Sequence, residues 1–148
     1  MRRTAIILSL LLTCVCKVGS SIWMVGHIEK EERETFSWEK VIQAIIEVES
    51  HGDSSAVCGV YCGAMQISPI MVRDCNDILS MRGERFRYTY EDRFSLKKSK
   101  EMFCLIQERY NPEHDTEKAI RIWNAGPSYT LKRTEAYYRK VMDALLLL

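Results

Sequence analysis

The apolar residues between positions 38 and 46 recur three and four residues apart, and this spacing constrains the fold more than any other feature of the chain. Such residues line one side of an α-helix with about 3.6 residues per turn. They are Trp38, Val41, Ile42, Ile45 and Ile46. Ser37 is a suitable N-cap and Gly52 suits the residue after the last turn. The spacing therefore predicts an amphipathic helix that starts after Ser37 and ends near Gly52.

Two glutamates near the end of this helix differ in their predicted surroundings. Lys40, Gln43 and Glu47 share the solvated side, whereas Glu49 follows Ile45 by four residues and falls on the apolar side. Partial burial and the carbonyl end of a helix both favour the protonated form of a carboxyl group. A glutamate that stays protonated near neutral pH suits general acid catalysis. The alternative is that Glu49 turns outward or pairs with an arginine.

The rest of the chain predicts a mainly helical protein. The residues 53–67 contain glycines and no helical period, so we expect a loop or a short hairpin there. Ser68 before Pro69 marks a second helix start, and a third helix is expected to begin near Ser95. The segment "TEKAIRIWNAG" predicts a short helix that ends at Gly126, and "TEAYYRKVMDALLLL" predicts the last one, with the terminal leucines packed under its final turn.

The N-terminus has the pattern of an export signal. Arg2 and Arg3 precede the apolar run "TAIILSLLLTCVC", and "VGS" at 18–20 offers small residues for cleavage. We predict a signal peptide over 1–20, an N-terminal extension over 21–36 and one domain over 37–148, in a protein exported to the periplasm or cell envelope. The run is short for a membrane span. A lipid-modified Cys14 or Cys16 is the alternative, and only then is membrane attachment expected.

Four cysteines follow the predicted signal, and an even number in an exported protein indicates disulfides. Three pairings are possible; we favour Cys58 with Cys62 and Cys75 with Cys104, and free buried thiols are the alternative. The C-x3-C spacing lacks the matching histidines of a structural zinc site. We therefore predict no metal site and no cofactor.

Composition excludes some classes of partner. The 148 residues are 47% hydrophobic, which allows one domain with a single core. The net charge of +1, from 21 basic and 20 acidic residues, argues against nucleic-acid binding, which shows a clear basic excess. We therefore expect a partner that is recognised by shape and local groups, and a monomeric protein.

Three short blocks carry a resemblance to a known family. They are Glu49-Ser50, the block "GAMQISP" from Gly63 to Pro69, and "WNAGP" from Trp123 to Pro127. In this order they resemble the soluble lytic transglycosylases, whose domain has a lysozyme-like fold. The segments "YTYEDRFSLKKSKEMF" and "EKAIRIWNAGP" also look like a compact exported subgroup from Bacteroidetes-type bacteria.

The resemblance implies an α+β lysozyme-like helical bundle around a substrate groove. It also implies a peptidoglycan lytic transglycosylase that cleaves the MurNAc–GlcNAc β-1,4 bond, forms a 1,6-anhydro ring and uses Glu49 as general acid and then base. Peptidoglycan glycan strands are the implied partner. One alternative is a hydrolytic muramidase, for which Asp53 and Asp92 are the candidate second carboxylates. The other is a non-catalytic module that binds peptidoglycan or assists secretion.

The remaining candidate site residues are expected to contact the substrate. They are Ser50, Gly63, Gln66, Trp123, Asn124, Gly126 and Tyr137. Glycines let the backbone approach a polysaccharide closely, and the two amides supply donors and acceptors for acetamido and hydroxyl groups. The amides could instead tie their own turns, and the two aromatic residues could instead belong to the core. The chain departs from the family at Ala64, where leucine is usual, and at Arg133, where an acid is frequent.

Overall fold

A computed structural model describes residues 36–148, and over this range the chain forms five α-helices and one short hairpin. The elements are α1 (Glu39–Ser50), β1 (Val57–Cys58), β2 (Tyr61–Cys62), α2 (Pro69–Met81), a 3-10 helix (Glu91–Phe94), α3 (Leu96–Tyr110), α4 (Thr116–Ala125) and α5 (Leu131–Leu145). The predicted mainly helical fold with a small hairpin is thereby confirmed. The predicted signal peptide over 1–20 and residues 21–35 of the predicted extension lie outside the described residues.

Helix α1 has the amphipathic form that its sequence predicts. Lys40, Gln43 and Glu47 are exposed. The opposite side is buried and comprises Val41, Ile42, Ala44, Ile45 and Ile46. The helix ends one residue earlier than expected, because His51 and not Gly52 is its C-cap and takes the left-handed conformation with φ +52°. The short polar turn after α1 therefore starts directly after Ser50.

Helices α2, α3 and α4 begin where a side chain accepts a hydrogen bond from a free backbone amide, whereas Thr130, the N-cap of α5, makes no such bond. Ser68 and Ser95 act as the N-caps of α2 and α3, as predicted. Helix α5 starts at Leu131, three residues before the start predicted at Thr134. The Thr134 hydroxyl is buried inside the helix and donates to the Thr130 carbonyl at 3.0 Å. A threonine that looks like a cap in the sequence thus bonds back to the preceding turn.

Aromatic side chains join three of the helices at the centre of the core. Helix α1 packs against α4 and α5, α4 also packs against α5, and α2 packs against α3. The Trp38 and Phe103 rings lie 5.6 Å apart between centroids, and the Phe103 and Trp123 rings 5.2 Å apart. These contacts connect the start of α1 to α3 and α4.

A buried arginine ties α4 to α5. The Arg121 side chain is 3% exposed and donates to Glu117 at 2.8 Å, to Glu135 at 2.9 Å and to the Thr134 hydroxyl at 2.8 Å. Its guanidinium carbon also lies 4.3 Å from the centroid of the Tyr138 ring. Because every contact but Glu117 lies on α5, this side chain fixes the position of α5 relative to α4.

We expect Arg121→Ala to lower the free energy of unfolding by about 2 kcal/mol, because the variant leaves buried acceptors on α5 without a donor. Arg139→Ala is the matched control, since Arg139 also bonds Glu135 but is 74% exposed. Its removal should cost under about 0.5 kcal/mol. Urea denaturation of both variants measures the two values. If both variants lost the same free energy of unfolding, the buried contacts of Arg121 would stabilise the fold no more than the exposed ion pair of Arg139.

The predicted disulfides are wrong, because the four cysteines between residues 36 and 148 are free thiols. In the hairpin Cys58 lies opposite Tyr61, and Cys62 lies opposite Val57. Cross-strand partners share a face, so Cys58 and Cys62 point to opposite sides. Cys75 is buried and its thiol lies 3.8 Å from the Met102 carbonyl, whereas Cys104 faces the start of α1. Burial also raises the pKa of the Cys75 thiol to about 12.

The C-terminal leucines do not pack as predicted. Helix α5 ends at Leu145, whose side chain packs against the core, whereas Leu146, Leu147 and Leu148 are exposed. The last three residues lie past the final turn, beyond the helices that cover Leu145. Among the helices of residues 36–148, none combines the length and the hydropathy needed to cross a bilayer.

Candidate active site

Glu49 lies in the last turn of α1, on the side of the helix that faces the core. Its side chain is half-buried, whereas Glu47 is exposed and pairs with His51 at 2.8 Å on the surface. The helical phase of the sequence therefore separated the two glutamates correctly. Only Glu49 has the sheltered surroundings in which a carboxyl group changes its protonation behaviour.

Tyr137 holds the Glu49 carboxyl group. The Tyr137 hydroxyl donates to Glu49 Oε1 at 2.7 Å across the contact between α1 and α5. Tyr137 is half-buried and lies one turn before the buried Val141 on the inner side of α5. The sequence singled out Tyr137 as a groove residue, but no short-range pattern connects it with an acid 88 positions away.

Burial controls the protonation of this pair. Burial raises the pKa of Glu49, and the hydrogen bond from Tyr137, which stabilises the ionised form, offsets part of that rise. The pKa of Tyr137 lies well above its ordinary value. Burial is the largest cause, and the charge of Glu49 and the shared hydrogen bond raise this pKa further. These causes include no cation beside Glu49. Among residues 36–148 the carboxyl group thus has no ion-pair partner, which suits a proton donor.

A loop that contains the hairpin is tied to the end of α1. The Ser50 hydroxyl donates to the Ala64 carbonyl at 2.9 Å. The preceding residue, Gly63, has φ +77°, and a Cβ atom there would lie 1.9 Å from the Arg93 carbonyl oxygen. Only glycine fits at this point. Ser50 and Gly63 therefore set the position of the loop beside Glu49, and neither is free to move far.

Gln66 keeps its own turn in place. Its backbone has φ +49°, and its side-chain NH2 group donates to the Gly63 carbonyl at 2.9 Å. This is the structural role that the sequence left open as the alternative. The side-chain oxygen accepts no hydrogen bond from residues 36–148, and the side chain is half-buried. The side-chain oxygen of Gln66 thus remains available to a ligand. The neighbouring Met65 is fully buried in the core.

In the third motif block, "WNAGP", one candidate site residue is buried in the core and the others lie nearer the surface. Trp123 is buried against Phe103, so the core alternative holds for this residue. Asn124 is exposed, and Gly126 caps α4 with φ +77°. The Asn124 side chain makes no hydrogen bond to residues 36–148, and no hydrogen bond within this range links Asn124 or Gly126 to the Glu49–Tyr137 pair.

The two candidate second carboxylates bond within their own turns. Asp53 accepts from the Ser55 amide at 2.8 Å and from its hydroxyl at 2.7 Å, and these bonds lower the pKa of Asp53. Asp92 accepts from the Thr89 amide at 2.7 Å and does not pair with Arg93. Neither bonds to Glu49 or contributes to the shift in its pKa. Each therefore acts as a local capping group.

A cleft of about 620 Å³ lies at the opposite end of α1. Its lining includes Trp38, Ile42, Leu96 and Cys104, and none of the predicted site residues borders it. Ten residues of helix separate Glu39 on its rim from Glu49, which is about 15 Å at 1.5 Å per residue. The cleft is therefore separate from the Glu49 site. Within residues 36–148, no group of three or more histidine, cysteine or acidic side chains is placed to hold a metal ion.

Arg93 is the site-forming residue that the sequence does not reveal. Its guanidinium group donates to the carbonyls of Val60 at 3.0 Å and Ile67 at 3.5 Å, on the two sides of the loop that carries Gln66. Its partners lie 33 and 26 residues away, so no local pattern predicts them. Arg93 thus joins the 3-10 helix to the loop beside Glu49.

Comparison of the chain with protein-family models, with curated proteins and with solved structures found no match. The family resemblance therefore depends on the three motif blocks, and the functional argument depends on the geometry around Glu49.

Proposed function

We propose that this protein is a peptidoglycan lytic transglycosylase with Glu49 as its single catalytic carboxyl group. The observation that carries the proposal is the half-buried Glu49, whose pKa burial raises and which accepts one hydrogen bond, from Tyr137. The three motif blocks place the same glutamate at the family's catalytic position. The substrate is a peptidoglycan glycan strand, and the protein acts in the periplasm or cell envelope.

The reaction needs one group that first gives and then takes a proton. Protonated Glu49 donates its proton to the oxygen between N-acetylmuramic acid and N-acetylglucosamine, and the bond from that oxygen to the muramoyl carbon breaks. The muramoyl N-acetyl group stabilises the cation that develops. Ionised Glu49 then takes the proton of the muramoyl 6-hydroxyl as this oxygen closes the 1,6-anhydro ring. Glu49 ends protonated and no water is consumed.

The surrounding residues have positioning roles in this scheme. Tyr137 holds one carboxylate oxygen at 2.7 Å and so orients the acid. The bond from Ser50 to Ala64 fixes the loop that carries Gln66 next to the end of α1. The free acceptor of Gln66 and the exposed amide of Asn124 suit the acetamido and hydroxyl groups of the sugars.

A hydrolytic muramidase on the same residues would need a second carboxylate that positions a water molecule. Asp53 and Asp92 are each held by hydrogen bonds from their own turns, which favours the single-carboxylate reaction. A half-buried acid with a raised pKa suits a proton donor better than a non-catalytic module. Both alternatives remain as outcomes of the test.

The test is digestion of purified sacculi with the mature protein, followed by mass spectrometry of the soluble fragments. We expect muropeptides that end in 1,6-anhydro-muramic acid. Fragments with reducing ends would indicate the hydrolase. Sacculi that stay intact while the protein binds them would indicate the non-catalytic module.

Tyr137→Phe should move the pH dependence of activity to higher pH. Glu49 must be protonated to act, so activity falls as the pH rises through its pKa. The hydrogen bond from Tyr137 lowers that pKa, so its loss should move the alkaline limb of the profile to higher pH. Rates of sacculus digestion between pH 4 and 9 measure the shift.

Tyr138→Phe is the matched control, because Tyr138 is the next residue on α5 but lies over Arg121 instead of Glu49. Its pH profile should equal that of the unchanged protein. A Tyr137→Phe profile that stays in place, or that moves to lower pH, contradicts the proposed proton donor.

A further inference from the structure

Arg93 bonds to the backbone of two chain segments that carry exposed apolar side chains, the hairpin turn and the start of the 3-10 helix. Val60 is 59% exposed, Tyr61 50% and Tyr90 48%. Val60 lies in the hairpin turn, Tyr61 begins β2, and Tyr90 is the N-cap of the 3-10 helix. We call these three side chains with Arg93 the tyrosine surface. Large apolar side chains that gather on a surface in this way mark a contact site.

Arg93 holds the two halves of the tyrosine surface together. Its Nη1 atom donates to the Val60 carbonyl at 3.0 Å, and its Nε atom donates to the Tyr90 carbonyl at 2.7 Å. The guanidinium carbon lies 5.6 Å from the centroid of the Tyr90 ring. Since one side chain bonds to both segments, the hairpin turn and the start of the 3-10 helix cannot separate without breaking these bonds.

The backbone beneath the tyrosine surface is also fixed. The Arg93 carbonyl accepts a hydrogen bond from the Ser99 hydroxyl at 3.2 Å. The same carbonyl packs against Gly63 so closely that no side chain would fit at position 63. The hairpin is further closed by a bridge between Cys62 and Ile67. A surface with so little freedom loses little conformational entropy when it binds a ligand.

One loop carries both Tyr61 of the tyrosine surface and Ala64, which is bonded to the end of α1 beside Glu49. Tyr61 precedes Ala64 by three residues, so their Cα atoms lie at most about 11 Å apart. The Ala64 carbonyl accepts from Ser50, the residue after Glu49. This separation is the length of a few sugar units, so a glycan strand bound at Glu49 is long enough to contact the tyrosine surface as well, whereas a single sugar is not.

We propose that the tyrosine surface is a second contact site for the glycan strand, several sugar units from the bond that Glu49 cleaves. Exposed tyrosine rings offer flat apolar faces on which the C–H faces of pyranose rings pack, and their hydroxyl groups remain available for hydrogen bonds. The Nε and Nη1 donors of Arg93 bond to carbonyls of its own chain, so this side of the guanidinium group supports the two segments that carry the rings. This inference rests on the proposed function, which identifies the bound strand as peptidoglycan.

The experiment measures binding without cleavage. Glu49→Gln protein is titrated with glycan strands from which the stem peptides have been removed by an amidase, and intrinsic fluorescence reports the Kd. We expect Tyr61→Ala with Tyr90→Ala in this background to weaken binding about tenfold, from two aromatic contacts. Tyr61→Phe with Tyr90→Phe keeps the rings and should bind within about threefold of the parent.

Phe36→Ala is the matched control, because Phe36 is also 52% exposed but lies before α1, at the end away from Glu49. It should leave the Kd unchanged. Equal Kd values for the parent and the double alanine variant would overturn the proposal, as would a parent that binds no peptide-free glycan. If the tyrosine dependence appears but the unmodified protein releases no product from sacculi, the proposed reaction fails and the glycan contact stands.

Discussion

Glu49→Gln should reduce the rate of product release from sacculi by about a thousandfold, whereas Glu47→Gln should keep most of the activity. General acid–base groups contribute about 100- to 10,000-fold to a rate, and Glu49 acts twice in the proposed cycle. Glu47 is the matched control, since it lies two residues away but pairs with His51 in solvent. Soluble muropeptides quantified by chromatography after timed digestion give both rates.

The stability of Glu49→Gln separates catalysis from folding. Burial raises the pKa of Glu49 above that of an unfolded chain. The folded state therefore binds more protons than the unfolded state between the two pKa values, and stability decreases as the pH rises through that interval. A neutral glutamine avoids this loss, so Glu49→Gln should unfold in urea at the same concentration as the unchanged protein at pH 7, or higher. An inactive variant that is also less stable would contradict this account.

Gly63→Ala should lower the free energy of unfolding by about 3 to 4 kcal/mol. A left-handed conformation costs an alanine about 1 to 2 kcal/mol, and forcing a methyl group into a filled space costs about 1 to 3 kcal/mol. The new Cβ would lie 1.9 Å from the Arg93 carbonyl oxygen, and this oxygen belongs to the backbone and has little freedom to move. Urea denaturation followed by circular dichroism gives the value.

Gly52→Ala isolates the conformational part of that effect. Gly52 has φ +86°, but a Cβ atom there meets no other atom within 4 Å. We therefore expect a loss of about 1 to 2 kcal/mol. If the two alanine variants are equally stable, the close approach of the hairpin loop and the 3-10 helix at Gly63 does not exist in solution.

Short-range patterns predicted the helices and the side on which Glu49 lies. The apolar rhythm of α1 depends only on residues within two turns, and burial follows from helical phase once the helix forms. For the same reason, Ser68 and Ser95 identified the starts of α2 and α3. The surface position of Glu47 needed no more information than the spacing from Lys40 and Gln43.

Contacts between distant segments could not be predicted in this way. The hydrogen bond from Tyr137 to Glu49 and the bonds from Arg93 to the hairpin depend on how the helices pack, which local patterns do not specify. The even number of cysteines suggested pairing, but the two-residue strands place Cys58 and Cys62 on opposite faces. The burial of Trp123 likewise follows from its contact with Phe103 and not from its own motif.

The most direct test of the central claim is the mass of the fragments that the protein releases from sacculi in water enriched in heavy oxygen. A transglycosylase transfers the muramoyl group to its own 6-hydroxyl, so we predict anhydro fragments without heavy oxygen, released about a thousandfold more slowly by the Glu49→Gln variant. Fragments with a reducing end that carries one heavy oxygen atom would contradict the account, as would equal release by the variant.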